Sequence, residues 1–311
     1  MAKTAEERTV LIAGPTASGK SAAALAAAER IGGEIVNADA IQVYRDLRII
    51  SARPSAEDER RAGHHLYGHV DGAVRYSAGE WSRDAASIIA VIHARVAVAI
   101  VVGGTGLYFR ALLKGLAETP EIPLEVRLAA AARFDEVGAD EFRREVISFD
   151  PGAARLDPSD RQRHIRAWEV YHACGESLTS IQEKPARPMI SGAGARIVIE
   201  PQRADVYRAA SARFDRMMAL GALDEVRMLT ARRLRPDLPV MKAVGAAELL
   251  AHLDGELSLD EASELARRNT RRFIKRQLTW FRHQAPDWTR VRTPESAASL
   301  VCSQFVASPP P

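Results

Sequence analysis

Residues 9–31 read TVLIAGPTASGKSAAALAAAERI, and three textures follow one another along them. Val10, Leu11, Ile12 and Ala13 form a short apolar run, residues 14–21 are a glycine-bounded loop, and residues 22–31 are alanine-rich with strong helix propensity. The succession predicts strand, loop, helix. Within the loop, Gly14, Pro15, Thr16, Ala17, Ser18, Gly19, Lys20 and Ser21 match GxxxxGK[ST] in the strand-to-helix setting that this pattern needs. Glycines let the backbone curl so that successive N–H groups and a helix N-terminus face one anion. Lys20 adds a point charge, and the Ser21 hydroxyl is suited to ligate Mg²⁺. A phosphorylated ligand is expected, either a nucleoside triphosphate such as ATP or another pyrophosphate. An ordinary glycine turn before a helix is the plain alternative.

Working outward, residues 34–36 and 97–102 are further apolar runs, ending at Asn37-Ala38-Asp39 and Gly103-Gly104. Runs that alternate with helical stretches and end in turn residues predict parallel strands linked by crossover helices, with ligands at the carboxyl ends of the strands. Asp39 should therefore share an edge with the phosphate loop, as metal ligand or general base, unless it is only a helix N-cap. Beyond residue 116 the texture changes. Pro120 and Pro123 punctuate the chain, and helical patterns follow over residues 124–137 and 161–171 without a convincing strand. The division read from this is residues 1–119, first part of the core; 120–195, a helical insertion; 196–290, completion of the core with basic helices; and 291–311, a tail, disordered over 308–311. A strand over 196–200 and helices over 206–220, 222–232, 243–252 and 259–282 complete the expectation, the last helix opening on Ser258 and Glu261 spaced as a capping box.

The composition agrees with a globular chain of about two domains, since 311 residues are available at roughly 100–200 per domain. With 47% hydrophobic and 27% charged residues, wholesale disorder is excluded. Two cysteines, Cys174 and Cys302, exclude a disulfide framework and a four-thiolate zinc site, and His64-His65 lacks a third ligand at sensible spacing. The apolar runs fall far short of the ~20 residues that cross a bilayer, and the polar residues 1–8 lead straight into the first strand. A cytoplasmic chain without membrane contact is expected. The net charge of +3 hides an uneven distribution: residues 265–285 carry Arg267, Arg268, Arg271, Arg272, Lys275, Arg276 and Arg282 and no acid. Four-residue spacing makes two adjacent ridges, Arg267, Arg271 and Lys275 beside Arg268, Arg272 and Arg276, while Phe273 or Ile274, Gln277 or Leu278, and Phe281 fall on a different, mostly apolar side. Such a helix suits an anionic partner such as nucleic acid; a core helix with a soluble outer face is the alternative.

The phosphate loop joins an ordered set of motifs: NADAIQVYR (residues 37–45), ARPS (52–55), HHL (64–66), VVGGTGLY (101–108), RQRHIRAWEVY (161–171), KAVG (242–245) and KRQLTWFR (275–282). From about residue 9 to residue 288 this set resembles the tRNA dimethylallyltransferases of the IPP transferase family. These enzymes move a five-carbon prenyl group from dimethylallyl diphosphate to N6 of the adenosine 3′-adjacent to the anticodon. The resemblance implies an α/β fold, a P-loop NTPase-like parallel sheet flanked by helices with a helical insertion domain. It implies Mg²⁺ as cofactor, and the tRNA anticodon stem-loop and dimethylallyl diphosphate as partners; a monomer is the default. It also implies that Asp39 is the general base and that residues 14–21, with Lys20 and Mg²⁺ on Ser21, hold the diphosphate. Thr105 would contact the target nucleotide, and Arg127 would lie near the site. Asp39, Ala40, Ile41 and Gln42, and Gln162, Arg163, His164, Ile165 and Arg166, match tRNA-contacting stretches, to which the basic ridge adds Arg271 and Lys275. In that scheme Gln42 reads a base edge, and Arg163 and Arg166 reach backbone phosphates. Two positions depart from the family: Ala40 stands where Ser is usual, and the link from His65-Leu66 to Asp71 is longer. Other readings are transfer to a free adenine nucleotide, a P-loop small-molecule kinase, and a non-catalytic nucleic-acid binder. The first two have no need of the arginine ridges and the third leaves Asp39 idle.

Overall fold

The computed structural model describes residue 4 and residues 7–305; the tail 308–311 and most of residues 1–8 lie outside the described residues. Six strands form one sheet: β1 (Thr9–Ala13), β2 (Gly33–Asn37), β3 (His64–His65), β4 (Val98–Gly103), β5 (Ala195–Ile199) and β6 (Thr289–Val291). Their spatial order is β3-β2-β4-β1-β5-β6, and every pairing is parallel. The parallel sheet flanked by helices read from the sequence is the sheet observed. Parallel pairing needs long crossovers, and helices supply them: α1 (Lys20–Ile31), α2 (Ala56–Arg61), α3 (Ala78–Ala94) and α4 (Gly106–Lys114) between the first strands. After an inserted set, α5 (Leu124–Phe149), α6 (Arg161–Cys174) and α7 (Leu178–Glu183), the chain makes β5, then α8 (Arg203–Ala219), α9 (Ala222–Ala231), α10 (Ala246–Leu253) and α11 (Leu259–Gln284), then β6 and α12 (Pro294–Phe305).

Successive strand residues point to opposite faces, and both faces are covered. Leu11, Val36, Ala99, Val101 and Val198 pack into one core with Trp81, Phe109, Phe214, Leu249 and Phe281. Val10, Ile12, Ile35, Ile100 and Ile197 pack into the other with Ala24, Ala27, Ala297 and Val301. That second layer explains the C-terminal stretch read as a tail: residues 294–305 form α12, whose Ala297 and Val301 are buried with α1. Short side chains spread over a polar helix leave a weak pattern in the sequence. Likewise the helix expected over 124–137 continues as α5 to Phe149, with a break at Gly138, where φ is 78°.

The chain divides into two units. One is Lys114–Pro188; the other comprises the described residues on either side of it. The smaller unit has its own core, in which Phe142, Val146, Ala153, Ala167 and Trp168 are buried, and the Trp168 indole N–H donates to Glu145 at 2.8 Å. Its ends meet closely: Gly115 has φ of +75°, and a Cβ there would lie 2.2 Å from the Arg187 carbonyl oxygen. In the larger unit the Leu112 carbonyl accepts the N–H groups of Met189 at 3.0 Å and Ile190 at 3.3 Å. No helix among the described residues is long and apolar enough to cross a membrane.

Candidate active site

The phosphate loop leaves the buried end of β1 with Ala17 at φ 62° and Gly19 at φ 82°, left-handed positions that turn backbone N–H groups inward. Gly19 is the N-cap of α1 and brings no capping side chain. The first N–H groups of a helix have no internal partner, so this terminus is open to an anion. The Ser18 hydroxyl is buried in the loop and has no hydrogen-bond partner among the described residues. Lys20 donates to the Pro15 carbonyl at 3.3 Å. Burial lowers its pKa to about 8, while the Asp39 carboxylate pulls it back up and the Arg213 guanidinium pushes it down. Asp39 therefore faces the loop's lysine electrostatically, as the shared carboxyl edge predicts. The Ser21 hydroxyl stands exposed at the start of α1. Its oxygen is of the hard donor type that Mg²⁺ takes together with substrate phosphates and water.

Asp39 is held by its neighbours. Buried Asn37 accepts the Asp39 N–H at 2.9 Å and donates to the carbonyls of Asp39 (3.1 Å) and Leu66 (3.0 Å). Asp39 Oδ1 in turn accepts the N–H groups of Ile41 at 2.9 Å and Gln42 at 3.3 Å, closing a turn rather than capping a helix. Thr105 joins this turn to the end of β4: its N–H donates to the Ala38 carbonyl at 3.2 Å, and its hydroxyl accepts the Ala40 N–H at 2.9 Å. The hydroxyl hydrogen of Thr105 remains to donate elsewhere. The approach is tight enough to require glycine at position 103, where a Cβ would sit 2.0 Å from the Ala38 carbonyl oxygen. Beneath the turn, Trp81 donates to the Asn37 carbonyl at 2.8 Å and stacks on Tyr108 at 4.3 Å.

Gln42 is half-buried, and its amide nitrogen donates to the carbonyls of Ser51 (2.9 Å) and Ala52 (3.0 Å). The loop it grips is fixed from the other side by buried Glu225, whose carboxylate accepts the N–H groups of Arg48, Ile49 and Ile50 at 2.6–2.8 Å.

Two further residues reach the phosphate loop from distant helices, and neither was singled out by the sequence reading. Arg213 donates to the Thr16 hydroxyl at 2.6 Å; burial lowers its pKa and Asp39 opposes the shift. Gln277, buried on α11, accepts the Thr16 N–H at 2.9 Å and donates to the Gly104 carbonyl at 2.9 Å, so one amide ties the two glycine loops together. A signal for both exists. Arg213 follows buried Val206 and Ala210 at helical spacing, and Gln277 falls among buried Ile274, Leu278 and Phe281. A polar residue at a core position of an amphipathic helix needs a partner.

In the smaller unit, the Arg127 Nε donates to the Ile122 carbonyl at 3.1 Å. On α6, Gln162 and Arg163 are exposed, Arg163 pairing with Asp160 at 3.3 Å. Arg166 donates to the Thr119 hydroxyl at 2.9 Å and to Glu169 at 3.4 Å. His164 is buried, its Nδ1 2.9 Å from the Asp160 carbonyl, and Ile165 packs against the core of this unit. Of the five matched residues on α6, Gln162 and Arg163 are thus the exposed ones, with Arg166 partly covered. On α11 of the larger unit, Arg267 is taken up by Asp215 and Glu264 and lies over the Phe214 ring at 5.5 Å. Arg268, Arg272, Lys275 and Arg276 are exposed and Arg271 half-buried.

Two family models match the chain, "IPP transferase" over residues 42–284 and "Isopentenyl transferase" over residues 7–67. A tRNA dimethylallyltransferase of Maricaulis maris is 49% identical over 303 residues, 97% of this chain and 98% of the relative. One from Phenylobacterium zucineum is 50% identical over 306 residues, 98% of each. Among solved structures, the tRNA isopentenylpyrophosphate transferase of Bacillus halodurans matches with a TM-score of 0.68 at 30% identity, covering 96% of this chain and 97% of its own. A eukaryotic dimethylallyltransferase acting on tRNA matches with a TM-score of 0.73 at 25% identity, covering 95% and 77%. With one family model spanning most of its length and relatives at about half identity from end to end, the chain belongs to the IPP transferase family, alongside the tRNA dimethylallyltransferases.

Proposed function

We propose that the protein transfers a dimethylallyl group from dimethylallyl diphosphate to N6 of the adenosine 3′-adjacent to the anticodon in tRNA, acting as a cytoplasmic monomer. One observation carries the assignment of roles: the Asp39 carboxylate is electrostatically coupled to Lys20 and Arg213, two cations at a loop whose helix N-terminus is open. A diphosphate held on the loop, Lys20 and Arg213 brings its allylic carbon to the same strand edge as Asp39. As the new N–C bond forms, the C–O bond to the diphosphate breaks and a proton leaves N6 for Asp39. Adenine's exocyclic amine needs that help, because its lone pair is delocalised into the ring. The donors of the loop, with the Ser18 hydroxyl among them, hold the charge that develops on the leaving group. The Ser21 hydroxyl would hold Mg²⁺, which when bound would supply further neutralisation of that charge. Thr105, whose hydroxyl hydrogen is unspent, contacts the target nucleotide, which is extruded from its stack at a cost of a few kcal/mol that is lowest in a single-stranded loop.

The test offers labelled dimethylallyl diphosphate to the protein with unmodified tRNA in one tube and AMP in another. Label in RNA is the expected result. Label in AMP would establish the free-nucleotide reading, and label in neither would return the kinase reading.

A further inference from the structure

Beyond the strand edge that holds Asp39, a second basic feature occupies the far end of the same sheet. A cavity of about 390 Å³, open to solvent, lies where β5 and β6 end, lined by Glu200, Arg203, Arg282, Arg290 and Arg292 among others. Glu200 is the single acid in this lining, and it is already shared by Arg282 and Arg290, each of its oxygens pairing with one of them. Of the acids near it in sequence, Asp205 pairs with Arg208 and Asp287 with Arg196, while Glu295 is exposed in the first turn of α12. Arg203 and Arg292 are exposed and make no ion pair among the described residues. Four guanidinium groups against one carboxylate leave a surplus of positive charge in the cavity lining. A structural role accounts for Arg282 and Arg290, which fasten α11 and β6 to the end of β5, but not for the other two.

The cavity is also the end of a track. At 100° per residue, Arg271, Lys275 and Arg282 fall within about 40° of one another around α11, and about 17 Å of helix separates the first from the last. Arg282 therefore belongs both to the stripe and to the cavity. From β2, which Asp39 follows, to β6 is four strand spacings, about 19 Å, a span that a handful of nucleotides covers. Planar guanidinium forks match phosphate oxygens bidentately, and an open cavity suits a passing chain better than a small ligand, which prefers an enclosed cleft.

We infer that the cavity at the β5–β6 end seats a backbone phosphate of the bound RNA, at the end of a basic track running along α11 from Arg271. This rests on the proposal that tRNA is the substrate. Arg203 and Arg292 are the residues to test, because neither pairs with an acid among the described residues.

The experiment measures binding of unmodified tRNA across a salt series for wild type, for Arg203→Gln/Arg292→Gln, and for a charge-matched control, Arg30→Gln/Arg60→Gln. Both control residues are exposed at the opposite edge of the sheet, near the ends of α1 and α2. Each phosphate contact contributes roughly 0.7–0.9 to the slope of log K against log salt, so the cavity variant, which gives up one phosphate, should lose up to about that much and the control nothing. The KM for tRNA should rise several-fold, with kcat and the KM for dimethylallyl diphosphate unchanged. An unchanged slope in the cavity variant, or an equal loss in the control, would overturn the inference. Intact tRNA binding accompanied by loss of a separate binding event for inorganic pyrophosphate would do the same, assigning the cavity to a free anion. Failure of wild type to prenylate tRNA refutes the function proposed above, whereas failure of the slope to change refutes only the cavity's role.

Discussion

At Asp39 the two carboxylate oxygens have separate work. Oδ1 closes the turn by accepting two N–H groups, and no hydrogen bond among the described residues reaches Oδ2. Replacement by alanine would remove both the turn and the base, so the informative variant is Asp39→Asn, whose side-chain oxygen still accepts from Ile41 and Gln42. We expect kcat to fall about 10²–10⁴-fold, the range for loss of a general base, with tRNA affinity and thermal unfolding near wild type; turnover within a few-fold of wild type would reject the assignment. Lys20 supplies a pH dependence. Being neutral above its pKa and cationic below, it loses its attraction for diphosphate as pH rises through about 8. The kcat/KM for dimethylallyl diphosphate should decline on that limb. Lys20→Arg keeps its charge throughout and should flatten the decline, even if the absolute rate drops.

At the level of elements, the phosphate loop is positioned by α11 as much as by β1 and α1. Gln277→Met keeps the volume but leaves the Thr16 N–H and the Gly104 carbonyl without their partner, which costs about 1–3 kcal/mol for each buried group left unsatisfied. Denaturant unfolding should show that loss, and kcat should fall with it because both glycine loops lose their common anchor. Glu225→Gln tests the other support: a neutral amide accepts the three N–H groups of Arg48, Ile49 and Ile50 less well, so KM for tRNA should rise more than that for the allylic substrate. These supports also mark how far the sequence could be read. Contiguous motifs carried the strand–loop–helix, the turn at Asp39 and the glycines before Thr105, because local chemistry decides them. Arg213 and Gln277 lie far along the chain from Thr16, and a single polar residue on an apolar helix face does not reveal which loop it meets. Gln42 shows the converse. Its motif was legible, yet only the folded chain shows its amide nitrogen engaged by Ser51 and Ala52.

At the scale of the whole molecule, the chain is one sheet unit interrupted by Lys114–Pro188. Replacing that segment with a short glycine–serine link should leave a unit that unfolds cooperatively and still binds pyrophosphate, since every contact described for the loop and Asp39 lies outside the segment. The same variant should lose prenyl transfer to tRNA, because Gln162, Arg163 and Arg166 go with it; full transfer by the shortened protein would remove α6 from the RNA-binding surface. The reason such surgery is feasible lies in one small feature, the Leu112 carbonyl that accepts both Met189 and Ile190. Departure and return share a single threshold, so the inserted helices behave as a cassette: they can be lengthened, exchanged between relatives or tuned to another RNA without re-registering one strand of the catalytic scaffold.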